Sequence, residues 1–470
     1  MEILQSLLVG FHTALTLANF FVCIVGILIG TLVGALPGIG PTGAVAILLP
    51  ASYSLGPEAA MILLAGIYYG TQYGGTITSV LMNVPGESAS VVTTFDGYQM
   101  ARQGRAGVAL GIATVGSFIG GTLSVIGLMA FGPMLADYAL AFGPPEYFGL
   151  MVLALSLITA FTGKSLVRGL VATIFGLLLG CVGDDVISGD PRLTFGVGGL
   201  LDGIQFLPVA VGLFGVSEMI DSLMHREETK ILRADLGWRN VLPQWPDIRQ
   251  SIGPILRGSV LGFFVGVLPG AGATIASFLS YGIEQKVSST PERFGKGAIE
   301  GVAGPETANN ASTGGAFIPM LSLGIPGSGT TAVLLGALLM FGLHPGPGLF
   351  KEAPEVVWGV IASMYIGNVV LLVINIGFIP PMVWIMDRIT PYMRLLVLIL
   401  ALVGVYSFRN ATLDVLIMFT FAVIGVFMKR YEFPLAPVVL GLILGDRAEI
   451  SLRQSLTISQ NDWSIFFTHR

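Results

Sequence analysis

The chain has 470 residues, 53% of them hydrophobic and only 11% charged, with a mean hydropathy of +0.82. Soluble domains carry about 25% charged residues, so this composition excludes a water-solvated globule and points to apolar surface solvated by lipid. The net charge of −5 excludes little, because in a membrane protein the placement of Lys and Arg carries the information.

Long apolar runs recur from end to end. Spans are expected near 13–36, 57–73, 107–132, 147–163, 166–182 and 200–220, then a polar stretch at 222–251. Further spans are expected near 252–270, 329–343, 355–385, 394–408, 411–428 and 434–446. Several approach the ~20 residues a helix needs to cross hydrocarbon. The expected fold is therefore an all-α polytopic membrane protein with about 10–12 transmembrane helices. Two regions, 37–56 with 74–100 and 271–328, are Gly/Pro-rich and too interrupted to read as simple spans. The N-terminus has neither a basic region nor a small-residue cleavage site, so the first run is expected to be retained. Cys23 and Cys181 sit in apolar runs without metal-ligand spacing and read as small core residues.

Lys and Arg set the orientation. The central stretch carries Arg226, Lys230, Arg233, Arg239 and Arg249 and is placed in the cytoplasm. The acidic 183–197 loop, with Asp184, Asp185 and Asp190, then falls outside. Lys164 and Arg168 fall inside, the 133–146 loop outside, and Arg102 and Arg105 inside. Arg388, Arg394, Lys429 and Arg430 also fall inside, whereas Lys351 and Arg409 break the pattern.

The halves resemble each other. Gly30-Thr-Leu-Val-Gly34-Ala-Leu-Pro37-Gly38-Ile-Gly40 matches Gly262-Phe-Phe-Val-Gly266-Val-Leu-Pro269-Gly270-Ala-Gly272 at an offset of 232. Downstream, Gly74-Gly75 with Pro85-Gly86 matches Gly314-Gly315 with Pro326-Gly327, at offsets of 240 and 241, which reads as one inserted residue. Counterpart spans fall on opposite sides of the membrane in the Lys/Arg pattern. Residues 1–221 and 252–470 are thus expected to be two inverted membrane repeats joined by a cytoplasmic linker at 222–251, an arrangement typical of transporters.

Gly is roughly twice its usual share of ~7% at 64 residues, beside 26 Pro. A Pro-Gly step in apolar sequence breaks the helix and frees backbone groups that must face protein or a water-filled cavity. Freed carbonyls bind cations, and helix N-termini attract anions. The segments Asn83–Ser90 and Gly324–Thr331 combine such a break with small hydroxyls and read as the tips of two re-entrant hairpins. Asn83, Gly86, Ser88, Ser90, Asn309, Asn310, Ser328, Thr330 and Thr331 are the candidate substrate-binding residues. Pro37, Gly38, Thr42, Pro85, Pro269, Gly270, Thr274, Pro326 and Gly327 are the candidate cation-binding positions, with Na⁺ as the ion. Glu87 reads equally as an intramembrane functional group and as an interfacial one; Asp96 reads as a loop cap. Gly324–Thr331 lacks the lysine of a nucleotide-binding loop, and neither HExxH nor GxSxG occurs. No catalytic residue, organic cofactor or nucleic-acid partner is expected.

ALPGIGPTGA at 35–44, YGTQYGGTITSVLMNVPGE at 69–87, FDGYQMARQGRAG at 95–107, GVLPGAGATIASF at 266–278 and GIPGSGTTAVLLGAL at 324–338 carry a further resemblance. With these motifs the chain resembles the large membrane subunit of tripartite tricarboxylate transporters, the TctA family, over nearly its whole length. The resemblance implies a multi-pass protein of the bacterial inner membrane, partnered by a small four-helix membrane subunit (TctB-like) and a periplasmic substrate-binding protein (TctC-like). It also implies uptake of a (tri)carboxylate by symport with Na⁺ or H⁺. The alternative is a stand-alone channel or exchanger for organic anions.

Overall fold

The computed structural model describes residues 2–36, 39–161, 165–185, 188–224 and 236–468. The candidates Pro37 and Gly38, and the basic residues Lys164, Arg226, Lys230 and Arg233, lie outside the described residues.

The fold is all-α. The first half runs α1 (Glu2–Ala14), α2 (Leu17–Gly34), α3 (Gly40–Ser52), α4 (Pro57–Met82), α5 (Val91–Arg102), α6 (Ala106–Ala139), α7 (Pro144–Phe161) and α8 (Leu166–Gly180). A two-residue antiparallel pair, Gly183–Asp184 with Pro191–Arg192, follows. Then α9 (Phe206–Ala210) continues through a π-helical turn (Val211–Val216) into α10 (Ser217–Met224), with a short α11 (Trp238–Val241) beyond. The second half comprises α12 (Trp245–Val267), α13 (Gly272–Val287), α14 (Glu300–Leu323), α15 (Gly329–Met340), α16 (Leu349–Glu352) and α17 (Pro354–Gly377). It ends with α18 (Ile379–Arg409), α19 (Thr412–Arg430), α20 (Ala436–Ile458) and α21 (Ile465–Thr468). Among the described residues, α2, α6, α12, α17 and α19 are long and apolar enough to cross a membrane.

Several boundaries differ from those expected. The first span begins at Leu17, where the Thr16 hydroxyl accepts from the Asn19 amide at 3.4 Å and caps the helix. The expected break after 385 falls at Phe378 instead, because Pro380 and Pro381 supply no N–H to a continuing helix and open α18. The last residues of the expected linker are helical, since α12 starts at Trp245, and Arg105 ties that start to α6 through Asp247 at 2.9 Å.

The largest difference is α4 and α14, which pass through regions too polar and interrupted to read as spans. Every residue of α14 from Gly301 to Ser322 is buried, as is nearly every residue of α4 beyond Glu58. A helix enclosed by protein needs no lipid-facing stripe, so Gly, Thr, Asn and Ser replace the apolar run. Pro305 and Pro319 are accommodated within α14 for the same reason, their freed carbonyls facing protein.

Glycine makes the enclosure close. Gly26, Gly30 and Gly34 of α2 meet Leu63, Ile67 and Thr71 of α4 in that order, so these helices run parallel and in backbone contact. Gly258, Gly262 and Gly266 of α12 meet Gly304, Ala308 and Ser312 of α14 in the same manner. The offset is 232 between α2 and α12 and 241 between α4 and α14. Gly74 and Gly315 therefore match, each against the same backbone stretch of its partner helix, Thr31–Ala35 and Phe263–Val267. The Gly-Gly doublets are thus offset by one position, and there is no inserted residue.

Helix directions follow from side-chain pairs. Gln72 meets Thr313 and Thr76 meets Glu306, so the equivalent helices α4 and α14 run antiparallel. The repeats are inverted. Their cross-contacts exchange as a pseudo-two-fold requires: Tyr68 reaches Ser328, and its equivalent Asn309 reaches Glu87, the equivalent of Ser328. Likewise α6 packs on α14, and α17 packs on α4.

The re-entrant turns are not at the Pro-Gly steps. Only residues 53–56 separate α3 from α4, so α3 runs opposite to α4 and α2, and the chain reverses direction between α2 and α3. Ser277 bonds the Pro305 carbonyl and Tyr281 lies beside Gly301, so α13 likewise turns back against α12 and α14. At 13 and 16 residues, α3 and α13 are about 20 and 24 Å long, too short for ~30 Å of hydrocarbon. The Pro-Gly steps instead interrupt helices that continue onward. Thr93 bonds Glu306 and Gly97 packs near Val302, so α5 is antiparallel to α14 and keeps the direction of α4.

A Cβ on Gly34 would overlap the Thr71 backbone, whereas Gly282 has nothing within 4 Å. Gly34→Leu is expected to destabilise the purified protein by about 1–3 kcal/mol, the usual result of overpacking. Gly282→Leu should leave it unchanged; thermal unfolding in detergent compares the two.

Candidate functional site

Each Pro-Gly break is built the same way. α4 ends on Asn83 at φ 58° and α14 on Gly324 at φ 71°, the left-handed conformation that stops a helix. Two residues later Pro85-Gly86 and Pro326-Gly327 turn the chain. The Glu87 amide donates to Ser90 Oγ at 3.3 Å, and the Ser328 amide donates to Thr331 Oγ1 at 2.8 Å. These reciprocal caps start the next helical segments. The re-entrant turns match as closely, since Gly40 and Gly272 both have φ 59°, one beside Glu87 and the other beside Ser328.

The four elements enclose a cavity of about 690 Å³. Its wall includes Ile39–Gly43, Pro85–Ala89, Gly270–Ile275 and Ser328–Thr330, which open α3, the turn into α5, α13 and α15. Thr42 meets Thr330 at 2.9 Å and Tyr53 stacks on Phe341, so α3 and α15 run side by side in one direction; α5 and α13 run the opposite way. Helix N-termini therefore point at the cavity from both sides. Neither α3 nor α13 has a side-chain cap on its first amides. Amides at helix N-termini and the positive ends of helix dipoles favour negative charge in the space they face.

Among the sequence candidates, Gly86, Ser88, Ser328 and Thr330 line this cavity, as do Thr42, Pro85, Gly270 and Thr274. The others do not. Asn83 ends α4, and Ser90 and Thr331 are buried caps. Pro269, Pro326 and Gly327 shape the turns, with the Gly270 amide donating to the Gly327 carbonyl at 3.0 Å. Asn309 stands one layer back, its Nδ2 donating to Glu87 Oε1 at 2.9 Å. Asn310 faces away, donating to Ser117 of α6 at 2.7 Å. Asp96, buried within α5, accepts from the Gly297 and Ala298 amides of the loop before α14 and from the Tyr281 hydroxyl.

Glu87 is on the wall and 7% exposed. The Gln72 amide, with its nitrogen toward the carboxylates and its oxygen accepting from Thr313, donates to Glu87 Oε2 at 2.8 Å. Behind it Glu306, 1% exposed, accepts from the hydroxyls of Thr76, at 2.7 Å, and Thr93. Neutral amides and hydroxyls thus satisfy two enclosed carboxyls.

The wall also holds Tyr68, Gln72, Phe214, Glu218, Lys429, Leu435 and Ala436. Sequence reasoning did not find them. Glu218 and Lys429 form an ion pair from α10 to α19, yet in sequence each looks like an ordinary flank of an apolar run. The π-helical turn just before Glu218 is the kind of irregularity that marks functional helices, but no residue pattern announces it.

The family model for the tripartite tricarboxylate transporter TctA family matches residues 20–440. The chain belongs to the TctA family. It is 44% identical over 474 residues to a protein of Agrobacterium vitis described as an uncharacterized 52.8 kDa protein in the TAR-I ttuC' 3' region, covering 100% of this chain and 93% of that protein. A second protein of Agrobacterium vitis, described as uncharacterized and in the TAR-II ttuC' 3' region, is 41% identical over 210 residues, 44% of this chain and 86% of the relative. No solved structure matches. As a TctA family member the chain is a membrane-embedded subunit of a tripartite tricarboxylate transporter, a class that implies partner subunits.

Ser88 and Thr330 offer hydroxyls to the cavity without serving as the buried caps. Ser88→Ala combined with Thr330→Ala is expected to cut carboxylate uptake at least about tenfold, the loss of roughly one or two hydrogen bonds. Expression and size-exclusion profile should stay unchanged.

Proposed function

We propose that this TctA family chain is the permease through which a (tri)carboxylate crosses the bacterial inner membrane together with a coupling cation, Na⁺ or H⁺. A periplasmic binding protein delivers the cargo and a small four-helix subunit completes the assembly. The observation that carries this reading is the convergence of four helix N-termini on one cavity, two of them without side-chain caps. The volume of about 690 Å³ suits a small organic molecule. The charge of the wall supports cation coupling. Among its described residues it holds two carboxyl groups, Glu87 and Glu218, and one cation, Lys429. A polyanion entering such a site needs added positive charge to offset it.

Charge also supports the orientation. Gln103, at the end of α5, donates to the Lys296 carbonyl, and this end carries Arg102, Arg105, Lys286, Arg293 and Lys296. The counterpart end, where Tyr53 stacks on Phe341, has no Lys or Arg from Ala51 to Glu58 or from Phe341 to Phe350. The basic end is cytoplasmic under the positive-inside rule. The two repeats, 1–221 and 252–470 with the linker at 222–251 inside, then sit antiparallel across the bilayer, with α12 entering from Trp245.

Reconstituted alone in liposomes under a cation gradient, the chain should give little carboxylate uptake until the small subunit and loaded binding protein are added. Full uptake by the chain alone would make it the stand-alone exchanger or channel. For orientation, Gln103→Cys and His344→Cys are equivalent, exposed positions. In a background lacking Cys23 and Cys181, a membrane-impermeant thiol reagent should label the second and spare the first in intact cells. Labelling of both from one side would refute the antiparallel placement.

A further inference from the structure

We propose that Lys429 is the charged recognition residue for the cargo's carboxylate, and that Glu218 occupies it between cargoes. This rests on the carboxylate-permease reading above. Lys429 is the one cation on the cavity wall among the described residues. Its ammonium is bound to the Glu218 carboxylate, a chemical stand-in for the group a carboxylate cargo would present. The two side chains are 23% and 20% exposed, so the pair is reachable from the cavity rather than sealed within protein. The Arg257–Glu284 ion pair behaves differently. Glu284, 2% exposed, is gripped by both the Nε and Nη2 of Arg257 and touches no cavity wall.

Lys429 and Glu218 also stand outside the duplicated motif set, on α19 and α10, and share the cavity wall with the N-termini that the two breaks present. Uncharged amides can cradle a carboxylate anywhere around the cavity; a single ammonium fixes one end of it, and its strong charge-assisted bond sets selectivity. A permanent free ammonium would hold an anion too well for release. Glu218 supplies competition: cargo binds by displacing the Glu218 carboxylate, which turns to the cavity water, and leaves when Glu218 returns. No bond other than hydrogen bonds is made or broken.

The test is saturation binding of radiolabelled citrate and succinate to the purified full chain in lipid nanodiscs, with size-exclusion profiles as a folding control. Lys429→Gln should weaken binding at least about tenfold, and Lys429→Arg should restore most of it, as expected for loss and return of a charged hydrogen bond. Glu218→Gln should tighten binding several-fold, because the competitor is gone. Glu218→Gln with Lys429→Gln, which leaves no unpaired charge to unfold the site, should bind as weakly as Lys429→Gln alone. If Glu218→Gln and Lys429→Gln weaken binding alike, the pair is structural and the proposal falls. Binding by Lys429→Gln equal to wild type also overturns it while leaving the permease reading intact. Absence of binding of either acid by the wild-type chain overturns this proposal, whereas the permease reading stands or falls with the reconstituted uptake described above.

Discussion

A backbone amide cannot be left facing lipid, because hydrocarbon offers no acceptor and each unsatisfied group costs several kcal/mol. This molecule breaks helices in four places and so creates many such groups at once. Its architecture is the solution to that constraint. The breaks are gathered around one cavity and enclosed by the remaining helices, so that amides that lipid would punish face protein or the cavity instead. The fixed dipoles supply positive potential without a lysine at every position, and few charged side chains remain on the wall.

Gathering the breaks requires helices that approach to backbone contact. Gly26, Gly30 and Gly34 let α2 lie on α4, and Gly258, Gly262 and Gly266 let α12 lie on α14. Larger side chains would push the re-entrant turns away from the Pro-Gly breaks; Gly86 is wedged between the Gly34 carbonyl and Gly75, and Gly327 between the Gly266 carbonyl and Ala316. Helix packing and cavity construction are thus one feature. The second copy then completes the first, because an antiparallel partner brings helix N-termini from the opposite side and the Asn309 amide to Glu87.

Outside this duplicated centre the chain differs between its halves, and the differences carry charge. Asp185, Arg192, Glu449 and Arg453 tie the 183–192 turn to α20. Arg168 pairs with Glu432 near the end of α19. Only Glu218 with Lys429 reaches the cavity wall among the described ion pairs. The repeat builds a pseudo-symmetric cavity from its four breaks, and the asymmetric helices give that cavity a charged side.

Much of this was legible in the residues themselves. Composition determined the membrane class, since no soluble surface could be made from it. The repeated LPGxG and Pro-Gly elements located the breaks, and the Lys/Arg pattern gave opposite orientations to the halves, because backbone geometry and membrane insertion both act locally along the chain. The tertiary structure decided what depends on enclosure. α4 and α14 could not be read as spans because protein surrounds them and removes the apolar stripe that sequence reading needs. The re-entrant turn went to the LPGxG element and the Pro-Gly step became an interruption in a continuing helix, since either element can end a helix and only packing sets the next direction. Asn310 turned toward Ser117 and left the cavity, one helical position from Asn309, which supports Glu87. Lys429 met Glu218 across 211 residues, a pairing that no local pattern encodes because it exists only once separate helices share a wall.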